Sequence, residues 1–319
     1  RVVVGEQAVA RVSARSGNRR RASGGRIEVP VGVGTAVFDV PTITEQATWE
    51  DSFIVPTNRR AVITVGPARA VTADPLGAAQ RDIVSGSQTE LYVHPLTVNL
   101  PSLSSGWMRD LEGQTTNDLS PSDVAFHTLR EYVPGDDRRH IHWRSSAKIG
   151  TLMVRQFVDT RRSQIGLALP LSPDVWDDED TFELGVQVIG SLGRTAILDG
   201  QAVQAVAGRR TLAVHTGQRL LDELAAVDPD ETEPGLEDFV RSAAAALDGS
   251  SITVIATGEA ADHAELRRQC ERFGHSTKVV TVTVAPGQEP QRRTVGRVTM
   301  LTVGDLDGLV RLLNVGVLA

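Results

Sequence analysis

Between positions 130 and 148 the chain places Arg130, Tyr132, Pro134, Gly135, Asp136, Asp137, Arg139, Ile141, Trp143, Ser146, Ala147 and Lys148. No other stretch combines charge, aromatic side chains and a tight turn so densely. Proline presets φ at the second position of a β-turn, and glycine accepts the positive φ that a type II turn needs at the third. Such a turn presents Asp136 and Asp137 together, where their carboxylates can cap free backbone N–H groups. Arg138, Arg139, Arg144 and Lys148 follow closely, and guanidinium groups bind carboxylates in a two-pronged geometry. Two readings follow. In one, an Asp–Arg lattice pins a connector in place, with Trp143 as its apolar anchor. In the other, the same residues form a docking surface, since Arg and Trp are enriched where binding energy concentrates. A hydrolase built on Asp136, Asp137 and His140 is a further alternative. His140 and His142 would share one face of a strand, but no third metal ligand accompanies them.

The elements around this segment read as two different classes. Residues 1–100 carry short apolar runs at Arg26–Val33, Ala36–Val40, Ser52–Val55, Ala61–Val65 and Glu90–Val93, separated by Gly, Pro, Asn and Asp. That pattern predicts a β-sandwich-like domain, with a hairpin tip at Arg19–Arg21. Residues 101–159 form a polar connector, then the signature segment, then a strand at Leu152–Val158. From residue 160 to 319 strands alternate with helices, which predicts a doubly wound, mostly parallel sheet. Phe182, Val186, Ile189, Gly193 and Ile197 recur at helical spacing over Asp180–Leu198.

Composition limits the function classes. The chain has 319 residues, 4% aromatics and a formal net charge of -7. An acidic chain is poorly suited to sequence-independent nucleic-acid binding, which needs Lys and Arg against phosphates. A single cysteine, Cys270, excludes an intrachain disulfide. It lies in the predicted amphipathic helix Ala261–Phe273, as a small core residue. No G-x-S-x-G elbow, P-loop, H-E-x-x-H or paired C-x-x-C occurs, so the sequence favours a non-enzymatic interaction module without a cofactor. No apolar run reaches the roughly 18 residues that span a bilayer. The opening residues read as strand rather than leader, and the start at Arg1 raises the expectation that something upstream has been removed.

Taken together, Arg130, Tyr132, Gly135, Asp136, Arg139, Ile141, Trp143, Ser146 and Ala147 fit the pattern R-x-Y-x-x-G-D-x-x-R-x-I-x-W-x-x-S-A. The segment therefore resembles the bacterial family catalogued as domain of unknown function 58, the MoxR-associated proteins with a von Willebrand factor A-like domain. Gly66-Pro67, Asp74-Pro75-Leu76-Gly77 and Val93-His94-Pro95 look like further landmarks. The resemblance covers roughly residues 55 to 319. His142 stands where the family commonly has Asp. The D-x-S-x-S cation motif of A-like domains is degenerate here: Pro170-Leu171-Ser172-Pro173-Asp174 keeps only Ser172. Its later T-D-G element is replaced by Ala256-Thr257-Gly258. A cation-dependent binding module is accordingly an alternative rather than the leading reading. The acidic run from Asp174 to Asp180 has a simpler origin in the helix N-terminus that follows it. The resemblance implies a MoxR-type AAA+ ATPase as partner, with protein clients. It also implies transmembrane helices upstream of this chain and a place at the cytoplasmic face of a bacterial membrane.

Overall fold

The computed structural model describes residues 1–16, 23–73, 80–101, 124–133, 141–159 and 164–315. The N-terminal region is rich in sheet. It contains β1 (Val2–Val3), β2 (Ala8–Arg15), β3 (Gly25–Val31), β4 (Gly34–Val40), β5 (Thr48–Val55), β6 (Ala61–Val65), β7 (Ala68–Ala73), β8 (Gln80–Ser85) and β9 (Thr89–His94). One sheet runs β1-β9-β6-β3-β7-β8, with β4 also on β3, while β2 and β5 pair separately. Alternation drives this arrangement, because successive strand side chains point to opposite faces. In β2, Ala8 and Val12 are buried while Val9, Arg11, Ser13 and Arg15 are exposed. Val12 packs in one cluster with Ile27 and Val29 of the larger sheet, and Phe38, Trp49 and Phe53 surround them. Phe38 meets the Trp49 ring edge-on at 6.2 Å. The expected strands are all present. β7 and β8 add to them, and the expected hairpin tip at Arg19–Arg21 and the Asp74–Gly77 landmark lie outside the described residues.

A separate two-stranded ribbon follows, made of β10 (Val124–Glu131) and β11 (Met153–Asp159), with the helix α1 (Trp143–Ile149) between them in sequence. The sequence placed the start of β10 inside a polar connector. Its pairing with β11 is antiparallel, with an irregularity between Phe126 and Thr128.

The C-terminal region holds β12 (Gln164–Leu169), α2 (Glu179–Leu198), β13 (Ala202–Ala207), β14 (Arg210–Leu212), α3 (Gly217–Ala225), α4 (Leu236–Ala246) and β15 (Ile252–Gly258). It continues with α5 (His263–Gln269), β16 (Lys278–Val284), β17 (Gln291–Val295), β18 (Val298–Val303) and α6 (Leu306–Val315). Its sheet runs β14-β13-β12-β15-β16-β18-β17. The five inner strands are parallel, and both edge strands are antiparallel. The result is a mixed sheet, parallel at its centre as the sequence predicts. Leu167, Leu169, Val254 and Val282 face one core shared with α2, α3 and α6. Ala168, Val206, Ile255 and Val279 face a second core shared with α4 and α5. Near-continuous apolar strands such as ITVIATG at β15 are what a sheet covered on both faces requires. Gly193 of α2 is needed for close approach: a Cβ there would lie 2.4 Å from Leu220 Cδ2 and 2.7 Å from Leu167 Cδ1. The predicted helix Ala261–Phe273 is shorter, with α5 ending at Gln269 in a 3-10 turn, Cys270–Arg272. Cys270 is fully buried, and burial pushes its thiol up to about 12, which leaves it unreactive at neutral pH.

Two charge clusters, centred on the buried Asp222 and Arg60, join the N-terminal sheet to the α/β layers. Asp222 on α3 receives both Arg1 Nε and Arg1 Nη2 at 2.8 Å, and His94 Nε2 lies 2.9 Å from the same carboxylate. The carboxyl of Asp222 is held down at about 2, first by its hydrogen bond from Arg1, with the contact from His94 and the Arg1 charge assisting against burial. At the other cluster the fully buried Arg60 side chain reaches the C-terminus of α3. Its Nη1 donates to Leu224 O at 3.2 Å, a carbonyl that the helix itself leaves without a partner. Arg60 Nη2 forms ion pairs with Glu183 at 2.9 Å and Asp228 at 3.3 Å. Burial raises the Glu183 carboxyl despite the attraction of Arg60.

Candidate functional site

The described part of the signature segment is built on the β10–β11 ribbon. Tyr132 N–H donates to Leu152 O and His142 N–H to Met153 O, both at 2.8 Å. Ile141, buried at the ribbon, bridges Val154. Between these ties lies α1. Its N-cap is His142, whose Nδ1 accepts from Ser145 N–H at 3.2 Å and lies 2.8 Å from Ser145 Oγ. An Asp carboxylate is a preferred N-cap. The imidazole nitrogen of His142 accepts the corresponding bond here. Gly150 ends the helix at φ +83, its N–H bonded to Ser146 O. Lys148 sits in the last turn, where positive charge is favoured.

Ser146 is buried, and its Oγ makes two bonds. It donates to His142 O at 3.1 Å and accepts from Met153 N–H at 2.8 Å. The signature serine is therefore a latch between α1 and β11. Ser146→Ala is expected to cost about 1–3 kcal/mol locally, because the Met153 N–H would be left buried and unpaired. Faster hydrogen exchange at the Met153 amide checks this. Unchanged exchange would contradict the latch.

Trp143 does not act as the anchor suggested by one sequence reading. It is 67% exposed, and Val133, Ile149 and Leu152 of the same ribbon are also exposed. The physical reason is position: Trp143 is the first residue of a helix of only seven residues, whose one buried side chain is Ser146. Arg144 and Lys148 are exposed beside it, and Tyr132 is half-buried. Arg130 is placed by its backbone alone, opposite Val154. Pro134, Gly135, Asp136, Asp137, Arg138, Arg139 and His140 lie outside the described residues. The Asp–Arg lattice and the Asp136/Asp137/His140 hydrolase cluster both fall there.

The second candidate stands at the C-terminal end of β12, where strand order reverses between β13 and β15. Ligands in open α/β sheets bind in that crevice. Here the chain fills it. Trp176 is buried, donates Nε1–H to Pro170 O at 3.1 Å, and meets the Phe182 ring edge-on at 5.3 Å. Asp177 Oδ2 accepts from Glu259 N–H at 2.8 Å, closing the loop after β12 against the loop after β15. Asp178 caps α2 through Thr181 N–H at 2.8 Å, with Thr181 Oγ1 reciprocating. Those bonds hold the Asp178 carboxyl below its ordinary value. Ser172 is buried and makes no side-chain cap bond, Asp174 is exposed, and Pro170 is buried at the strand end. Among the described residues no group of three or more His, Cys, Asp or Glu side chains is arranged to hold a metal ion. A cleft of about 600 Å³ remains beside this loop, lined by Arg59, Pro173, Trp176, Asp177, Asp178 and Glu179 among others. Arg59 pairs with Glu179 across it.

Sequence reasoning did not single out Arg60, Glu183 or Asp222. His94 entered only as a landmark, and its contact with Asp222 gives that landmark a structural role. Nothing in local spacing signals such pairs, because the partners lie far apart in sequence.

The model of the family described as Protein of unknown function DUF58 matches residues 128–306, more than half of the chain. The protein belongs to that family. No curated protein matches it. One solved structure is similar at 11% identity with a TM-score of 0.20: a crystal structure of GH2 beta-galacturonidase from Eisenbergiella tayi bound to galacturonate. The match covers 89% of this chain and 47% of that one, so the chain spans about half the length of the galacturonidase chain. Likeness at that level carries no argument about fold or activity. No helix among the described residues is long and apolar enough to cross a membrane.

Proposed function

We propose that this protein is a non-enzymatic adaptor that docks a MoxR-type AAA+ ATPase through the β10–β11 ribbon, serving the assembly or maturation of envelope-associated or other protein clients. The exposed Trp143 carries the reading. An indole left largely in water at the first turn of a latched helix, beside Arg144 and Lys148, has the composition of an interface hot spot. The network of Ser146 and His142 holds that face in shape, which lowers the ordering cost of binding. On this reading the α/β layers are von Willebrand factor A-like and the N-terminal sheets are a β-sandwich. The strand order of the inner parallel strands and the shared cluster between β2 and the larger sheet support those two assignments. Transmembrane helices upstream would tether the protein to the cytoplasmic face of the membrane.

The test is capture of the MoxR-type ATPase of the same organism on immobilised protein, with ATP, ADP or no nucleotide. Nucleotide-dependent capture is the expected outcome. Absence of capture with both proteins folded would overturn the proposal.

A further inference from the structure

The N-terminal sheets contain a groove that the ribbon reading does not use. It encloses about 480 Å³ and is lined by every residue of β2 from Ala10 to Arg15. Successive side chains of a strand point to opposite faces, so a cavity over one face would touch alternate residues. A cavity that touches six in a row runs along the strand's edge. That edge is free: among the described residues β2 pairs only with β5, on its other side. The floor is apolar, formed by Val12, Ile27, Val29, Val65, Ala68 and Ala70. Val12, Ile27 and Val29 are buried, whereas Val65, Ala68 and Ala70 are half-exposed. On the far side Ile83 of the edge strand β8 also lines it and is 48% exposed.

We propose that this groove takes an extended segment of a partner protein as an added strand on β2. The segment would turn small apolar side chains to the floor and acidic side chains outward. The N–H and C=O groups of the β2 edge, without a strand partner among the described residues, supply the ladder, as in recognition by strand addition. The charge preference comes from Arg11 and Arg15, both on the outer face of β2. Arg11 has Glu50 at 4.0 Å on the β5 side, and Arg15 has no ion-pair partner among the described residues. A carboxylate on an added strand would sit beside them as a favourable cross-strand pair. A second copy is a poorer occupant. Antiparallel pairing of β2 with itself about Arg11 or Ser13 sets arginine directly opposite arginine, which is unfavourable. The inner face of that second β2 is also already covered by its own larger sheet.

The test uses the whole chain and a labelled, end-blocked peptide of eight residues, the length of β2, alternating Val or Ala with Glu or Thr. Fluorescence anisotropy should show binding, and the same composition with its apolar residues in one block should bind at least about tenfold more weakly. N-methylation separates a strand from a generic apolar ligand. Methylating the alternate amides that face β2 should weaken binding about tenfold, and methylating the other set should leave it nearly unchanged. Arg15→Glu, an exposed change, should weaken the acidic peptide severalfold and favour its Lys counterpart. Ala70→Phe, with circular dichroism confirming the fold, should block the groove. No binding, equal loss from both methylation sets, indifference to Arg15→Glu, or a dimer held through β2 would each overturn the proposal. None of these outcomes depends on the ribbon or on an ATPase.

Discussion

Asp222→Ala is expected to lower stability by about 3 kcal/mol at pH 7. That is the low end of the range for breaking a buried pair, because Arg1 is half-exposed and can rehydrate. His94 cannot, since it is buried against the same carboxylate. The pH dependence has a definite sign. The folded-state value of Asp222 is about 2, below the ordinary 3.8, so its ionised form stabilises the fold above about pH 4. That contribution, about 2 kcal/mol by linkage, fades as pH falls toward 2. Urea melts of the protein and of Asp222→Ala should therefore converge on acidification. A gap below about 1 kcal/mol at pH 7, or one that widens in acid, would contradict the role assigned to this cluster.

Phe182→Ala should be the most damaging single change in the α/β core, at about 3–5 kcal/mol. The ring is fully buried, meets Trp176 edge-on, and carries the Arg60 guanidinium 5.2 Å from its centroid. Truncation opens a void beneath Trp176 and removes the aromatic face under a buried cation. A double-mutant cycle with Arg60→Met separates these effects. The coupling should lie at about 0.5–2 kcal/mol, with the remainder of the Phe182 loss persisting when Arg60 is absent. A coupling near zero would mean that Phe182 acts by packing alone.

The C-terminal region was legible where pattern and burial coincide. The runs AVQAVA and ITVIATG sit on inner parallel strands, and Phe182, Val186 and Ile189 face one core. The edge strand β17, QRRTV, was missed because four of its five residues are exposed, leaving no apolar signal. β7 was missed because Gly66-Pro67 reads as a turn, and Ala-rich strands carry little β propensity. At the signature, Arg130 to Lys148 could be recognised as one segment, but not its internal division of labour. Ser146 and Ile141 hold the ribbon together, whereas Trp143 faces water. That distinction depends on which side of a seven-residue helix each side chain occupies, and so short a helix leaves no period to read. The charge clusters at Arg60 and Asp222 were invisible for a different reason: their partners meet only after the two regions are packed.

The most direct measurement of the docking account is the affinity of Trp143→Ala for the MoxR-type ATPase, taken alongside its melting curve. The account predicts at least about a thirtyfold loss of affinity, equivalent to about 2 kcal/mol. It also predicts a stability within about 0.5 kcal/mol of the parent, because the indole is exposed. Undiminished affinity would contradict it, and so would a loss that comes with unfolding of the ribbon.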